Sequence, residues 1–301
     1  MRLSNKIAQL KTIKIASIQS IRALAIFFGL LLFLSFNSPL NAQEEIQYKV
    51  IDSTALFMEV HYSVAVEASK APPAMVFFFG GGWVGGNRNQ FLRQAKYFTE
   101  RGLVCFLVDY RTKNKNNTTP FEALKDAKSA IRYIRKNAAN FGIDPDRLIA
   151  SGGSAGGHLA AAAALITDYN EITDDLSVSC VPNALVLFNP VIDNGPGGFG
   201  YGKIKDAYKN FSPLHNIKRG APPTLLLLGT QDHLIPVATA DYYASVMKKV
   251  KSRCDLKLFE GQKHGFFNYS NFEYYKKTIF EADLFLQSLG YLEETPKVNI
   301  K

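Results

Sequence analysis

The stretch Gly152-Gly153-Ser154-Ala155-Gly156 directly follows a short apolar run, 147–151, and precedes an Ala- and Leu-rich segment, 158–166. An apolar run, a Gly-x-Ser-x-Gly turn and a helix-forming segment in this order are typical of a nucleophile elbow, a sharp strand-to-helix turn that exposes a serine. The glycines two residues on either side of Ser154 supply the space and the backbone freedom that such a turn needs. The dipole and N–H groups of the following helix would favour negative charge beside the serine hydroxyl.

The same glycines could instead form a plain strand-to-helix turn or a phosphate-binding loop. The dinucleotide fingerprint Gly-x-Gly-x-x-Gly is not met, because Ser154 stands where its second glycine should be. The P-loop pattern that ends in Gly-Lys-Ser/Thr is absent from the sequence. Phosphate binding is therefore disfavoured, and the interpretation of Ser154 depends on motifs elsewhere in the chain.

Apolar runs that alternate with helical patterns predict the fold class. Buried strands are expected at 74–79, 103–108, 148–150, 184–188, 224–228 and 256–259, and helices at 89–101, 121–140, 158–166, 237–249 and 274–289. This alternation is typical of an α/β protein with a mostly parallel central sheet and helices on both faces. A strand-rich lead-in, 43–73, precedes it. In such sheets ligands bind at the carboxyl ends of the strands.

A serine hydroxyl becomes a nucleophile only beside a base that is itself oriented by a partner. The chain offers five histidines: His61, His158, His215, His233 and His264. His264 follows the last predicted strand and Asp232 follows the strand before it. The order Ser, Asp, His is that of α/β-hydrolases, and it selects His264 as the base and Asp232 as the orienting acid. Taken singly, the two could be an Asx turn and a surface-loop histidine.

Glycines also follow the first buried strand, in the stretch Gly80-Gly81-Gly82-Trp83. Attack on an ester carbonyl creates an oxyanion, and each preorganised N–H donor lowers the barrier by roughly 3–4 kcal/mol. We expect the N–H groups of Gly81, Gly82 and Ala155 to form this oxyanion hole. The alternative is a flexible glycine turn.

The N-terminus has the layout of a secretory signal peptide. Residues 1–22 carry five basic and no acidic residues, 23–36 are almost entirely apolar, and 37–43 are small or polar. We predict a signal peptide over residues 1–42, cleaved after Ala42, a catalytic domain over 43–301, and a periplasmic or secreted location. The apolar run is short for a membrane span, which needs about 20 residues, so an uncleaved anchor is the weaker alternative and no stable membrane insertion is expected. Without those five charges the net charge of +9 becomes +4.

The residue composition limits which partners and cofactors this chain is expected to bind. The three cysteines, Cys105, Cys180 and Cys254, allow at most one disulfide. Cys105 lies in an apolar run and is expected to be buried, while a bridge between the other two is left open. The Cys and His spacings do not resemble a zinc site, and basic residues do not cluster with aromatic ones. We therefore expect neither a metal, nor a cofactor, nor a nucleic-acid partner, and make no prediction about the oligomeric state.

From about Ala74 to Leu289 the chain resembles the hormone-sensitive-lipase-like branch of the α/β-hydrolase esterases. The stretches that carry this resemblance are 79–83, 109–111, 144–147, 153–157, 229–232 and 264–267. The resemblance implies a carboxylester hydrolase without metal or cofactor. It also implies that Ser154, Asp232 and His264 form the catalytic triad, and that Gly81, Gly82 and Ala155 form the oxyanion hole.

The chain departs from the family pattern at two places. Phe79 stands where the family has a histidine that braces the glycine loop. Only about 30 residues separate the predicted cleavage site from the first core strand, and they show no clear cap helix. A thin cap implies an open site, which suits acyl groups on bulky substrates better than long lipid tails.

A glycine-rich insertion, 192–211, follows a strand end and is expected to lie over the site. We expect Trp83, Phe199 and Tyr201 to contact the substrate.

The preferred hypothesis is an exported serine carboxylesterase that hydrolyses short-chain, acetyl-type esters of small molecules or oligosaccharides. One alternative is a serine aminopeptidase or oligopeptidase, whose usual extra domain does not fit into this length. The other is a non-catalytic binding protein of the same fold, which typically lacks a triad residue.

Overall fold

The computed structural model describes residues 43–63, 71–295 and 298–300. The predicted signal peptide, residues 1–42, lies outside the described residues. The described part contains a sheet of eight strands in the order β1-β2-β4-β3-β5-β6-β7-β8. The strands are β1 Gln43–Ile51, β2 Thr54–His61, β3 Ala74–Phe78, β4 Val104–Val108, β5 Leu148–Gly153, β6 Ala184–Phe188, β7 Thr224–Gly229 and β8 Cys254–Phe259.

Strands β3 to β8 run parallel to one another. Strand β2 pairs antiparallel with β4, and β1 pairs antiparallel with β2 at the edge of the sheet. The first part of the lead-in, from Gln43 to His61, is thus an antiparallel hairpin beside β4. Phe78 at the end of β3 pairs with Gly152 in β5, and Gly153 pairs with Phe188 at the end of β6. The loops that follow these three strands therefore start at the same level of the sheet edge, where α/β proteins bind ligands.

The α-helices of the described residues connect these strands. They are α1 Leu92–Glu100, α2 Lys113–Asn116, α3 Pro120–Lys136, α4 Ala138–Phe141, α5 Ala155–Leu165, α6 Tyr201–Ile204, α7 Tyr208–Phe211, α8 Val237–Lys249 and α9 Phe272–Ser288. Three short 3₁₀ turns lie at Arg88–Phe91, Lys205–Ala207 and Pro213–Asn216.

The single helix predicted at 121–140 is wrong, because the structure divides it into α3 and α4 at Asn137. The Asn137 side chain donates to the carbonyl of Tyr133, 2.8 Å away, and its backbone leaves the helical region (φ −100°, ψ 18°). Short polar side chains that bond to nearby backbone compete with the helix in this way. Helix α3 begins with a capping box at Thr119 and Glu122, which satisfies N–H groups of its first turn.

Two apolar layers cover the sheet. Val76 and Phe78 of β3 belong to one layer, together with residues of α3, α5 and α8. The alternate residues Met75 and Phe77 belong to the other, with residues of α1 and α9. This confirms the predicted α/β architecture with helices on both faces. Helix α5 is buried along its whole length, which explains its Ala-rich composition without a charged face.

Buried charges attach the edge hairpin to the rest of the domain. Lys49 of β1 lies 2.7 Å from Asp126 of α3 and 2.9 Å from Glu171. Arg111, which follows β4, binds Asp126 through both Nε and Nη2, at 2.8 Å each. Because each buried charge has a partner of opposite sign, the network avoids the large penalty of an isolated buried ion. Arg111 belongs to a stretch that resembles the family, and its role in the structure is to join β4 to α3.

Cys105 is buried within β4, as predicted, and burial raises the pKa of its thiol to about 12. Cys180 and Cys254 are also free thiols, so the bridge that the sequence left open is not formed.

Within the residues described, His, Cys, Asp and Glu side chains form no group of three or more that could hold a metal ion. Over the same residues, the helices lack the length and hydrophobicity needed to cross a bilayer.

Candidate active site

Ser154 alone forms the turn between β5 and α5. Strand β5 ends at Gly153 and α5 begins at Ala155, and Ser154 has φ +53° and ψ −119°. A residue other than glycine in such a conformation costs of order 1–3 kcal/mol and persists only where its surroundings fix it. Here the N–H of Ser154 donates to Phe188 O, and its carbonyl accepts from Val191 N–H. The hydroxyl is thereby held at the N-terminus of α5.

The glycines around Ser154 are required by close contacts. A Cβ on Gly152 would lie 2.4 Å from the backbone carbon of Gly156, and a Cβ on Gly156 would lie 2.0 Å from Phe78 O. Both distances are far shorter than any real Cβ contact. The Gly-x-Ser-x-Gly pattern is therefore needed because helix α5 lies directly against the ends of β3 and β5.

The structure brings Ser154, His264 and Asp232 into one hydrogen-bonded line. His264 Nε2 lies 2.9 Å from Ser154 Oγ, and His264 Nδ1 lies 2.7 Å from Asp232 Oδ2. The other carboxylate oxygen of Asp232 accepts the N–H groups of Leu234 and Ile235, at 2.9 and 3.0 Å. A carboxylate fixed in this way places the proton on Nδ1 and leaves Nε2 to accept the serine proton.

In the described part of the chain the other four histidines do not hydrogen bond to the serine hydroxyl. His61 instead lies 2.6 Å from the carboxylate of Glu59, and His158 is buried beneath the loop that follows β3. His215 lies in a 3₁₀ turn and His233 is exposed. The order of the motifs along the chain and the hydrogen bonds in the structure therefore both point to His264.

The loop after β3, residues 80–86, lies against the serine. A Cβ on Gly80 would lie 3.4 Å from Ser154 Cβ. Gly81 and Gly82 both have positive φ, +129° and +61°, and a Cβ on Gly81 would lie 2.1 Å from Gly85 O. In the described residues no acceptor binds the N–H groups of Gly81, Gly82 or Ala155, whereas the N–H of Gly80 donates to a side chain. Three N–H donors are thus left without an acceptor from the described residues, two in this loop and one directly after Ser154.

Phe79 braces this loop by packing. Its ring stacks on that of Tyr110, with centroids 4.1 Å apart and an interplanar angle of 15°. The Tyr110 hydroxyl donates to Phe79 O at 2.8 Å. An aromatic pair contributes about 0.5–1.5 kcal/mol beyond its burial. The loop is therefore anchored by stacking and by a tyrosine hydroxyl, although the histidine of the family pattern is missing.

A chain of side-chain amides, which sequence reasoning missed, connects this loop to that of His264. Gln90 Oε1 accepts the N–H of Gly80 at 2.6 Å, and Gln90 Nε2 donates to Asn268 Oδ1 at 3.0 Å. Asn268 Nδ2 in turn donates to Gly265 O at 2.7 Å. The glycine loop and the histidine loop therefore hold each other in place. Gln90 and Asn268 lie far apart in the sequence and outside any motif, so no local signal marks them.

Asn189 supports the histidine loop from the end of β6. Its side chain is buried, its Oδ1 accepts the N–H of Gly265 at 3.0 Å, and its Nδ2 lies 3.5 Å from His264 Nε2. The sequence did contain a signal for this residue, since Asn189 directly follows a predicted buried strand and functional residues collect at such strand ends.

The three predicted substrate contacts occupy different positions. Trp83 is only 1% exposed and packs against Phe199, with centroids 6.0 Å apart. Phe199 is partly exposed and lies 3.6 Å from where a Cβ on Gly82 would be. Tyr201 is partly exposed and packs on Tyr208. Trp83 thus supports the loop from beneath, Phe199 borders it, and contact of the three with substrate stays a prediction.

His158 lies beneath Trp83 and is completely buried. Its ring meets the indole edge-on, 5.1 Å between centroids, and its Nε2 lies 3.0 Å from Phe211 O. Burial lowers the pKa of His158 to about 4. The imidazole is therefore neutral near neutral pH and acts as a packing and hydrogen-bonding group beneath the loop.

Two family models match the chain: BD-FAE over residues 61–196 and Dienelactone hydrolase family over residues 198–285. Among solved structures, esterase 2 of Thermogutta terrifontis, phosphorylated by paraoxon, is similar to this chain. The TM-score is 0.80 at 38% identity, and the match covers 87% of this chain and 99% of that one. Structures of the same esterase with bound propionate and butyrate match as well.

Two relatives found by sequence are also esterases. Esterase LipC of Mycobacterium tuberculosis is 29% identical over 229 residues, which cover 66% of this chain and 54% of LipC. An acetylxylan esterase of Xylanibacter ruminicola is 26% identical over 231 residues, 72% of this chain and 45% of that enzyme. The chain therefore spans about half the length of these two relatives.

His158 gives a prediction for stability against pH. Its pKa is about 4 when folded, below the usual value of 6.5, so the unfolded chain takes up a proton first as the pH falls. Protonation of this histidine in the unfolded chain should therefore lower the free energy of unfolding of the wild type by about 2 kcal/mol between pH 7 and pH 5. In His158→Gln that loss should be absent, measured as the difference from wild type in urea titrations at both pH values. His233→Gln, at an exposed position, is the control. An equal wild-type-to-H158Q difference at both pH values would contradict the prediction.

Proposed function

Because this chain belongs to the hormone-sensitive-lipase-like esterases of the α/β-hydrolase fold, we propose that it is a serine carboxylesterase with Ser154, His264 and Asp232 as its catalytic triad. The observation that carries the proposal is the unbroken hydrogen-bonded line from Ser154 Oγ through the imidazole to the buried carboxylate, at 2.9 and 2.7 Å. Distances of this size permit direct proton transfer from the hydroxyl to the imidazole.

In the proposed mechanism, His264 Nε2 takes the proton of Ser154 as Oγ attacks the ester carbonyl carbon. The N–H groups of Gly81, Gly82 and Ala155 stabilise the oxyanion of the tetrahedral intermediate. His264 then gives its proton to the leaving alcohol, which departs and leaves an acyl-serine. A water molecule then attacks the acyl carbon as the same imidazole takes its proton. The imidazole returns that proton to Ser154 Oγ as the bond to the acyl group breaks, which releases the acid and restores the hydroxyl.

Preorganisation of the site favours this mechanism. The backbone of Ser154 has a positive φ and is bound on both sides, its N–H to Phe188 O and its carbonyl to Val191 N–H. These bonds hold the nucleophile in one orientation. The Gln90 and Asn268 amides connect the loop after β3, residues 80–86, here called the oxyanion loop, to the loop that carries His264. Donors fixed before the reaction need no reorganisation as charge develops, which makes them more effective than water.

Short acyl groups on bulky alcohols are the proposed substrates. The described residues before β3 form a hairpin at the sheet edge and contain no cap helix. The esterase with bound propionate and butyrate and the acetylxylan esterase, both similar to this chain, support short acyl groups and a carbohydrate alcohol.

The nucleophile is tested by Ser154→Ala, which removes the attacking oxygen. Hydrolysis of p-nitrophenyl acetate should fall by about 10³-fold or more, to the residual rate that binding and the oxyanion hole give alone. A fluorophosphonate probe should add its mass to the wild type at Ser154 and not label the variant. Ser270→Ala, at an exposed serine, should react and hydrolyse like the wild type. Wild-type turnover by S154A would contradict the triad, and an unlabelled, inactive wild type would favour a binding protein.

Substrate class is tested with a panel of esters. We expect kcat/KM to fall at least about tenfold from p-nitrophenyl butyrate to p-nitrophenyl octanoate, because the described residues before β3 supply no cap helix to enclose a long chain. Acetylated xylo-oligosaccharides should be deacetylated, as measured by acetate release. A rise in kcat/KM with chain length would contradict the short-acyl proposal. Preferential cleavage of aminoacyl-nitroanilides would instead favour a peptidase.

We propose that the protein is exported and that residues 1–42 are removed as a signal peptide. Expression of the full chain in a bacterium should give a periplasmic or secreted product whose N-terminal sequence begins at Gln43. Replacement of two residues of the apolar run, Leu31 and Leu32, by Arg should leave the uncleaved chain in the cytoplasm. A mature protein that keeps residues 1–42 and partitions with membranes would support the anchor alternative.

A further inference from the structure

Lys203, in the insertion over the site, lies against the oxyanion loop. Its Nζ donates to the carbonyl oxygen of Gly82 at 2.9 Å. The same nitrogen would lie 3.7 Å from a Cβ on Gly82 and lies 5.8 Å from the centroid of the Trp83 ring. Sequence reasoning did not select Lys203. The insertion therefore places a cation beside the loop that the proposed mechanism uses to stabilise the oxyanion.

The charge of Lys203 is not balanced within the described residues. Its ammonium forms no ion pair there, and its one acceptor is a neutral carbonyl. An ammonium has three N–H donors, so two remain for another partner. The Lys203 side chain is exposed on its outer side, and its partial burial against the loop lowers its pKa. The fully buried Lys128 of α3 is likewise bound by neutral carbonyls, those of Ile166 and Asp168, whereas the buried Lys49 and Arg111 have carboxylate partners.

We propose that Lys203 is a specificity-determining residue that binds a carboxylate of the substrate. The preferred substrates would be esters of hydroxy acids, acylated sugar acids included, whose carboxylate lies a few ångströms from the scissile bond. This proposal rests on the proposed esterase function and narrows its substrate class. Phe199 borders the same side of Gly82 and would pack against the apolar face of the alcohol. A charge-assisted hydrogen bond to an ammonium is stronger than a neutral one and gives preference for an anion.

A merely structural role for Lys203 has a different signature. If its contact with Gly82 O served only to position the loop, removal of the ammonium would lower kcat for charged and neutral esters alike. If it binds substrate carboxylate, removal raises KM for the charged ester selectively. The two roles are therefore separated by the ratio of kcat/KM values for a matched pair of esters.

The test compares 3-acetoxybenzoate with its neutral isostere 3-acetoxybenzamide. The wild type should prefer the carboxylate, and Lys203→Met should lower the ratio of kcat/KM for the charged to the neutral ester by about tenfold, mainly through KM. Lys203→Arg should keep most of the preference, because it keeps the charge. Lys209→Met, at an exposed lysine of the same insertion, should keep the wild-type ratio. Added salt should reduce the wild-type preference and leave K203M unchanged.

An unchanged ratio in K203M, with both esters hydrolysed in a Ser154-dependent manner, overturns the role of Lys203 and leaves the esterase proposal standing. An equal fall in kcat for both esters also overturns it and assigns Lys203 to loop positioning. If the wild type hydrolyses neither 3-acetoxybenzoate, 3-acetoxybenzamide nor p-nitrophenyl acetate, the esterase proposal fails and the Lys203 proposal fails with it.

Discussion

The one-residue turn at Ser154 is the constraint on which the site depends. A non-glycine residue at φ +53° is held there because β5, β6 and α5 all contact its backbone. This turn also requires Gly152 and Gly156, since any side chain at either position would collide with neighbouring backbone. The cost of the strained conformation is offset by the burial of α5, whose every residue lies in the core. Stability of the core and exposure of the hydroxyl are thus coupled.

Loops from different strands depend on one another for their positions. The oxyanion loop after β3 is bound through Gln90 to Asn268, and the histidine loop after β8 is bound to Asn189 after β6. Such links place reacting groups more precisely than separate flexible loops would, because misplacement by about 1 Å can cost a hundredfold in rate. Stacking of Phe79 on Tyr110 adds a rigid base to the first of these loops.

The insertion between β6 and β7 combines a structural and a binding surface. On its inner side Phe211 packs against the buried His158 beneath Trp83. On the other side it presents Phe199 and the ammonium of Lys203 next to Gly82. Because the edge hairpin supplies no helical cap, this insertion is the element best placed to select among substrates. The proposed substrate preference therefore depends on the same short segment that contacts the loop after β3.

The sequence by itself determined the order of strands and helices, the glycine-flanked turn at Ser154 and the choice of His264 and Asp232, because these follow from local patterns and chain order. Tertiary structure decided what depends on distant contacts: the amide links of Gln90, the burial of Trp83 and the place of Lys203. Glutamine, asparagine and lysine occur in every loop of such a protein. Only the fold decides which of them meets a partner, because a hydrogen bond or an ion contact depends on distances that residue type and spacing do not encode.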